Sequence, residues 1–230
     1  MQSGYGHDVF SARKTVDTRA RFISRTYNHL FGAIVAFAAI EFGLFATGLA
    51  VPIAQAMLSV SWLFILGGFM IAGWVASRAA QTAQTLPAQY AALAGYVVIE
   101  SLIFLPLLVI ANQVAPGAIS SAGLVTILGF AALTGIAFYT RKDFSFLRSA
   151  LLWGGVGAML LVIAGVVFGF QLGVFFSVAM VVFAGAAILY DTSNVVHHFP
   201  EDRYVAASLQ LFSSVTLMFW YVLRIFMSRR

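Results

Sequence analysis

Long apolar stretches alternate with short polar segments along the whole chain. Each apolar stretch has about twenty residues, the length that an α-helix needs to cross a hydrocarbon layer about 30 Å thick. The seven stretches run over residues 29–50, 56–77, 90–111, 119–139, 147–169, 172–195 and 206–227. The pattern predicts an all-α integral membrane protein, with a hydrophilic tail at 1–27 and a seven-helix transmembrane domain at 28–230.

Proline positions support this division. Proline interrupts a helix because it lacks the backbone N–H, so it is expected between helices. Four prolines fall between the apolar stretches: Pro52, Pro87, Pro116 and Pro200. Pro106 lies inside the third stretch, where we expect it to kink the helix.

Basic residues occur in the tail and in every second connection. The tail carries five, and the connections carry Arg78, then Arg141, Lys142 and Arg148, then Arg203. The intervening connections near Pro52, Pro116 and Gln171 carry none. By the positive-inside rule the N-terminus is cytoplasmic. Arg224, Arg229 and Arg230 leave two possibilities for the last stretch, a full crossing or a re-entrant segment, and its apolar length favours the crossing.

Composition excludes several classes of protein. Hydrophobic residues make up 61% of the chain and charged residues 9%, whereas soluble domains have about 25% charged residues. There is no cysteine, which excludes disulfides, zinc–thiolate sites and thiol nucleophiles. The net charge of +5 comes largely from basic residues beside apolar stretches, so it indicates contact with lipid headgroups and not with nucleic acid.

Two acidic residues stand out because they lie inside apolar stretches. A charge buried in hydrocarbon costs several kcal/mol unless it is paired or hydrated. Counted from the cytoplasmic side at about 1.5 Å per residue, Glu41 and Glu100 lie about 18 and 16 Å deep, so we expect them to share a cavity. They line a path for cations or protons, or they are protonated and hydrogen-bond to neighbouring helices.

A second candidate pair lies nearer the cytoplasm. Asp191 ends the sixth stretch at about the depth that Arg78 reaches in the second, so the two can form an ion pair that acts as a latch. The alternative is an ordinary helix-end charge among the headgroups. His197 and His198 follow, and adjacent histidines at a surface are usually just solvated.

Motifs of known enzymes are absent from the sequence. There is no His-Glu-x-x-His, no Gly-x-Ser-x-Gly and no phosphate-binding loop. We therefore expect no catalytic residue and no cofactor, and assign no metal ligand.

Several motifs in register resemble the Bax inhibitor-1 family, in its YccA-like bacterial branch. They are Arg25-Thr26-Tyr27, Tyr96 to Glu100 with Pro106, Thr140 to Leu147, Ala187 to Thr192, and Leu209 to Phe226. The resemblance implies a bacterial inner-membrane protein with seven helices and the last helix at the centre. It also implies a pH-sensitive calcium leak, so that calcium or protons are the candidate ions. Some relatives instead regulate a membrane-anchored AAA protease of the FtsH type, which is the alternative function.

One position departs from the family pattern. The resemblance implies an aspartate at Asp191 and a second aspartate in the last helix, where this chain has Ser214. Two close carboxylates split their titrations, and a serine cannot contribute to such a pair. We therefore expect any leak through this protein to depend weakly on pH near neutrality.

Overall fold

A computed structural model describes residues 4–60, 62–83 and 85–228, with side chains from residue 17 onwards except 62–66 and 69. Arg229 and Arg230 lie outside the described residues. Within them the chain forms helices α1 (Gly4–Ala46), α2 (Ala50–Leu58), α3 (Trp62–Thr82), α4 (Leu86–Val114), α5 (Ala118–Thr140), α6 (Leu147–Phe168), α7 (Val174–His197) and α8 (Tyr204–Met227).

Most of these helices can cross a membrane. Among the described residues, six are long and apolar enough: α1 from Asp17 onwards, and α4 to α8. The prediction of an all-helical, multi-pass membrane protein is thereby confirmed. The second apolar stretch corresponds to α3, which has 21 residues and is not among the six. The count of seven spans therefore stays a prediction.

The region after α1 differs from the sequence prediction. A helix was expected over 56–77, but α3 runs from Trp62 to Thr82 because residues 50–58 form the short helix α2. Pro52 lies in the first turn of α2, where its missing N–H costs no intrahelical hydrogen bond. It therefore begins a helix, whereas Pro116 and Pro200 separate helices as predicted.

The first helix continues across the predicted boundary at residue 27. It runs without interruption from Gly4 to Ala46. No glycine or proline occurs between Gly6 and Gly32, so nothing in the sequence ends the helix between the hydrophilic segment and the apolar stretch.

Ring contacts show how the helices run relative to one another. His29 of α1 lies 5.4 Å from Tyr90 of α4 and 5.1 Å from Tyr204 of α8, between ring centroids. Further along α1, Phe37 lies 5.2 Å from Phe104 of α4 and also contacts Phe219 of α8. Residue numbers rise together in these contacts, so α1, α4 and α8 are parallel.

The last helix occupies the centre of the described bundle. It contacts α1, α3, α4, α5 and α7, and most of its residues are buried. Since α8 is parallel to α1, it begins at the end of the bundle that holds the basic connections, here called the predicted cytoplasmic end. It finishes at the predicted outer end, which supports a full crossing for the last apolar stretch.

An arginine of α1 holds the C-terminal end of α7. The Nε atom of Arg19 donates to the carbonyl oxygen of Val196 at 3.0 Å, and its Nη1 donates to that of Phe199 at 2.5 Å. The last carbonyl groups of a helix have no intrahelical partner, so the first bond satisfies an acceptor in the last turn of α7 and the second satisfies one in the segment that follows the helix.

We expect Arg19→Gln to lower the free energy of unfolding by about 1–3 kcal/mol, because charged donors to these carbonyls are lost. Unfolding of the purified protein in mixed detergent micelles measures the change. The matched control is Arg21→Gln, since Arg21 is exposed on the same helix. Equal stability of the two variants would contradict the expected role of Arg19.

Candidate functional site

A cavity of about 960 Å³ lies between α3, α4, α6, α7 and α8. Its half nearer the predicted cytoplasmic end, here called the polar half, is lined by oxygen-bearing side chains: Ser77, Tyr96, Glu100, Tyr190, Asp191, Gln210, Ser213, Ser214 and Thr216. The other half, here called the apolar half, is lined chiefly by aliphatic, aromatic and methionine side chains, with Arg224 at its end. The candidate site is the polar half.

Asp191 is buried at the α7 side of the cavity. Its Oδ1 accepts a hydrogen bond from Gln210 Nε2 at 2.6 Å, and its Oδ2 accepts one from Ser214 Oγ at 2.5 Å. Gln210 and Ser214 are four residues apart on α8, so they lie on one face of that helix. The carboxylate is thereby fixed towards α8, with a donor on each oxygen.

The predicted latch between Asp191 and Arg78 is wrong. Arg78 is exposed, and the ion pairs among the described side chains join Asp143 to His198 and Asp202 to Arg203. The physical reason is the direction of the Asp191 carboxylate, which points at α8 and has both oxygens satisfied there.

Glu100 lies on the α4 side of the same cavity. It is buried and lies against Tyr96 of its own helix and Thr216 of α8. The hydroxyl of Tyr96 donates to Ser213 Oγ at 3.0 Å. Glu100 and Asp191 therefore contact different residues of α8 and line one cavity.

Glu41 has different surroundings. It is buried, and neither of its carboxylate oxygens has a hydrogen-bond partner among the described residues. It does not belong to the residues that line the cavity. Glu100 thus lines the cavity and has polar neighbours, whereas Glu41 has neither feature among the described residues.

The predicted shared cavity of Glu41 and Glu100 is wrong, because Glu100 lines the cavity and Glu41 does not. Glu41 lies on α1, and no described residue of α1 belongs to the cavity lining. The prediction compared depths along two helices, which do not give the direction of a side chain around each helix.

The polar face of α8 was not predicted from the sequence, apart from Ser214. Gln210, Ser213 and Ser214 follow the spacing of a single helix face and line the polar half of the cavity. That spacing within an apolar stretch was the available signal. It was missed because uncharged polar residues are common in membrane helices.

The connection between α5 and α6 is fastened to the end of α7. His198 Nε2 lies 2.9 Å from Asp143 Oδ2, and the backbone N–H of Phe144 donates to Ser193 Oγ at 2.9 Å. The backbone N–H of Ser145 and the neighbouring His198 hold the pKa of the Asp143 carboxyl below its usual value. His198 therefore has a defined partner, which the sequence analysis did not predict.

Comparison with known proteins gives two matches. A family model described as "Inhibitor of apoptosis-promoting Bax1" matches residues 19–230. An uncharacterised protein of Pseudomonas aeruginosa is 36% identical over 111 residues, which is 47% of this chain and 49% of that protein. The match thus covers about half the length of this relative.

Proposed function

The chain belongs to the Bax inhibitor-1 family, whose model matches residues 19–230, and from this premise we propose that it is a cation leak of the membrane. The proposed ions are calcium and protons. The proposed path uses the polar half of the cavity, with Asp191 and Glu100 as its charged groups and Ser214 and Gln210 as their neighbours. No catalytic step is part of the proposal.

The observation that carries the proposal is the placement of two acidic side chains on one cavity within the bundle. Ionisable side chains inside a membrane are costly, and they commonly mark ion pathways. Asp191 and Glu100 are both buried and both line the cavity. Side chains with hydroxyl and amide oxygens lie around these two acids. A hard cation such as Ca²⁺ binds to oxygen ligands.

The length of the polar half suggests how such a leak would be limited. From Gln210 to Thr216 the polar face extends about 9 Å along α8. Beyond it the cavity walls are apolar, and an apolar constriction opposes the passage of ions by excluding water. A cation that binds near Asp191 would therefore be slowed in the apolar half, which fits a leak better than an open channel.

The proposal includes an orientation and a location. The predicted cytoplasmic end carries Arg78, Arg141, Arg148 and Arg203, and lysine and arginine are retained in the cytoplasm. We therefore place the N-terminal part of α1 in the cytoplasm and the bundle in a bacterial inner membrane.

Ion flux into proteoliposomes tests the proposal. We expect the purified protein to admit calcium faster than protein-free vesicles do, with potassium and protons compared in the same vesicles. Glu100→Gln is expected to lower calcium flux several-fold, because it removes a charge from the cavity. Glu201→Gln is the control, since Glu201 is exposed in the α7–α8 connection. Flux no greater than in protein-free vesicles would overturn the proposal.

The second candidate function is regulation of a membrane-anchored AAA protease of the FtsH type through helix–helix contacts. It is favoured by the exposure of α6, in which Gly165 is buried and the other residues are exposed or half-buried. A face this open can accept a partner helix. This role does not require the acidic residues of the cavity. If the protein carried no ion flux and its Glu100→Gln variant still co-purified with the protease, the regulatory role would be favoured over the leak.

A further inference from the structure

Arg224 lies at the predicted outer end of the cavity, in the last turn of α8. It is half-buried, and its Nη2 donates to the carbonyl oxygen of Leu172 at 3.1 Å. The guanidinium also lies over the ring of Tyr221, 5.9 Å from the centroid. An arginine has five N–H donors, so these contacts leave most of its hydrogen-bonding capacity and its whole charge available.

A carboxylate partner for Arg224 is missing from the described part of the chain. No ion pair within 4.0 Å among the described side chains includes it. The stretches at this end of the bundle, residues 42–60, 110–120 and 166–176, contain no aspartate or glutamate. Glu41, the nearest acid along α1, has no hydrogen-bond partner of its own. Arg224 is therefore able to bind an anion from outside these residues.

The cavity beside Arg224 is apolar. Its walls include Met159, Val162, Phe170, Met180, Leu217 and Trp220. From Arg224 to Leu217 this lining extends about 10 Å along α8. The whole cavity, at about 960 Å³, is at the upper end of the range of small-molecule sites. The outer wall is α6, which is largely exposed, so the cavity lies at the side of the bundle that faces the bilayer.

A cationic group at the mouth of an apolar slot complements one kind of ligand, an amphipathic anion. We propose that the apolar half of the cavity binds an anionic phospholipid, with its phosphate on Arg224 and an acyl chain along Leu217 and Trp220. Guanidinium and phosphate form paired, charge-assisted hydrogen bonds. This site lies beyond the polar half that holds Asp191, and its test measures lipid binding and not ion flux, so it does not rest on the proposed leak.

Quenching of Trp220 fluorescence by brominated lipid tests the site. The protein is delipidated in a non-ionic detergent and carries Trp62→Phe, Trp74→Phe and Trp153→Phe, so that Trp220 reports alone. Brominated phosphatidylglycerol is compared with brominated phosphatidylcholine. We expect saturable quenching, with phosphatidylglycerol effective at about tenfold lower concentration, because its phosphate charge is unopposed, whereas the choline ammonium of phosphatidylcholine competes with Arg224 for the phosphate.

Matched variants separate the headgroup contact from the acyl-chain contact. Arg224→Gln is expected to abolish the preference for phosphatidylglycerol, and Arg224→Lys to retain part of it. Val162→Phe narrows the cavity without adding a second tryptophan and is expected to reduce quenching by both lipids. Arg148→Gln, at an exposed arginine of the other end, leaves the preference unchanged. Equal quenching by the two lipids in the native background, or an undiminished preference in Arg224→Gln, would overturn the proposal.

Discussion

Calcium flux through the purified protein is expected to fall by about tenfold or more when Asp191 is replaced by asparagine. A unit charge about 4 Å from a cation contributes about 4 kcal/mol near a protein surface, and each 1.4 kcal/mol is a tenfold change in rate. The carboxylate faces Gln210 and Ser214 on the cavity wall. Asparagine keeps the size of the side chain and removes the charge.

The sign of this change distinguishes two descriptions of Asp191. A latch to Arg78 predicts that Asp191→Asn raises flux, because the cytoplasmic side would open. The structure shows Asp191 bonded to α8 instead, so a decrease is expected. Arg78→Gln is the matched control and is expected to leave flux nearly unchanged, since Arg78 is exposed. Higher flux in both variants would restore the latch and contradict the role of Asp191 as a cation-attracting group.

Replacing Ser214 with aspartate is expected to create a steep pH dependence. Ser214 Oγ lies 2.5 Å from Asp191 Oδ2, so the new carboxyl would be in contact with the existing one. Two carboxyls in contact do not ionise together and titrate in two separate steps. As the pH rises, the second negative charge appears in the cavity. Calcium flux should therefore rise with pH in Ser214→Asp, whereas the native protein should respond weakly.

The measurement is calcium flux in proteoliposomes over a series of pH values with a constant ion gradient. Ser214→Asn is the control, because it has nearly the same shape as aspartate without the charge. If flux through the native protein depended on pH as steeply as flux through Ser214→Asp, a second carboxyl beside Asp191 would not be needed for the pH response. The response would then have to come from other groups, with Glu41, Glu100 and His197 as the first to replace.

Much of the fold was predictable because the bilayer imposes a simple rule. A stretch of about twenty apolar residues forms a helix, since its backbone groups can be satisfied in no other way within one segment. The short helix α2 did not follow from this rule. Its nine residues are too few to span a membrane, and Pro52 can begin a helix as well as end one.

The site was predictable in part. Glu100 and Asp191 were recognisable because an acidic residue in an apolar stretch is costly and therefore rare. Apart from Ser214, their partners were not predicted, because depth along a helix does not give the direction of a side chain around it. Arg78 is exposed and does not bond to Asp191, whereas Gln210 lies within hydrogen-bond distance of it. Phe37 of α1 contacts Phe104 of α4, and such a contact between two helices cannot be predicted from either apolar stretch alone.

The central position of α8 also has a consequence for biosynthesis. A chain is made from its N-terminus, so α8 reaches the membrane after the helices that pack around it. Until then, Asp191 lacks its donors Gln210 and Ser214, and Glu100 lacks Thr216. The nascent bundle thus holds two acidic side chains in the bilayer without their partners. Arrival of α8 completes both contacts at once, so the polar half of the cavity is finished only when the last helix has been inserted.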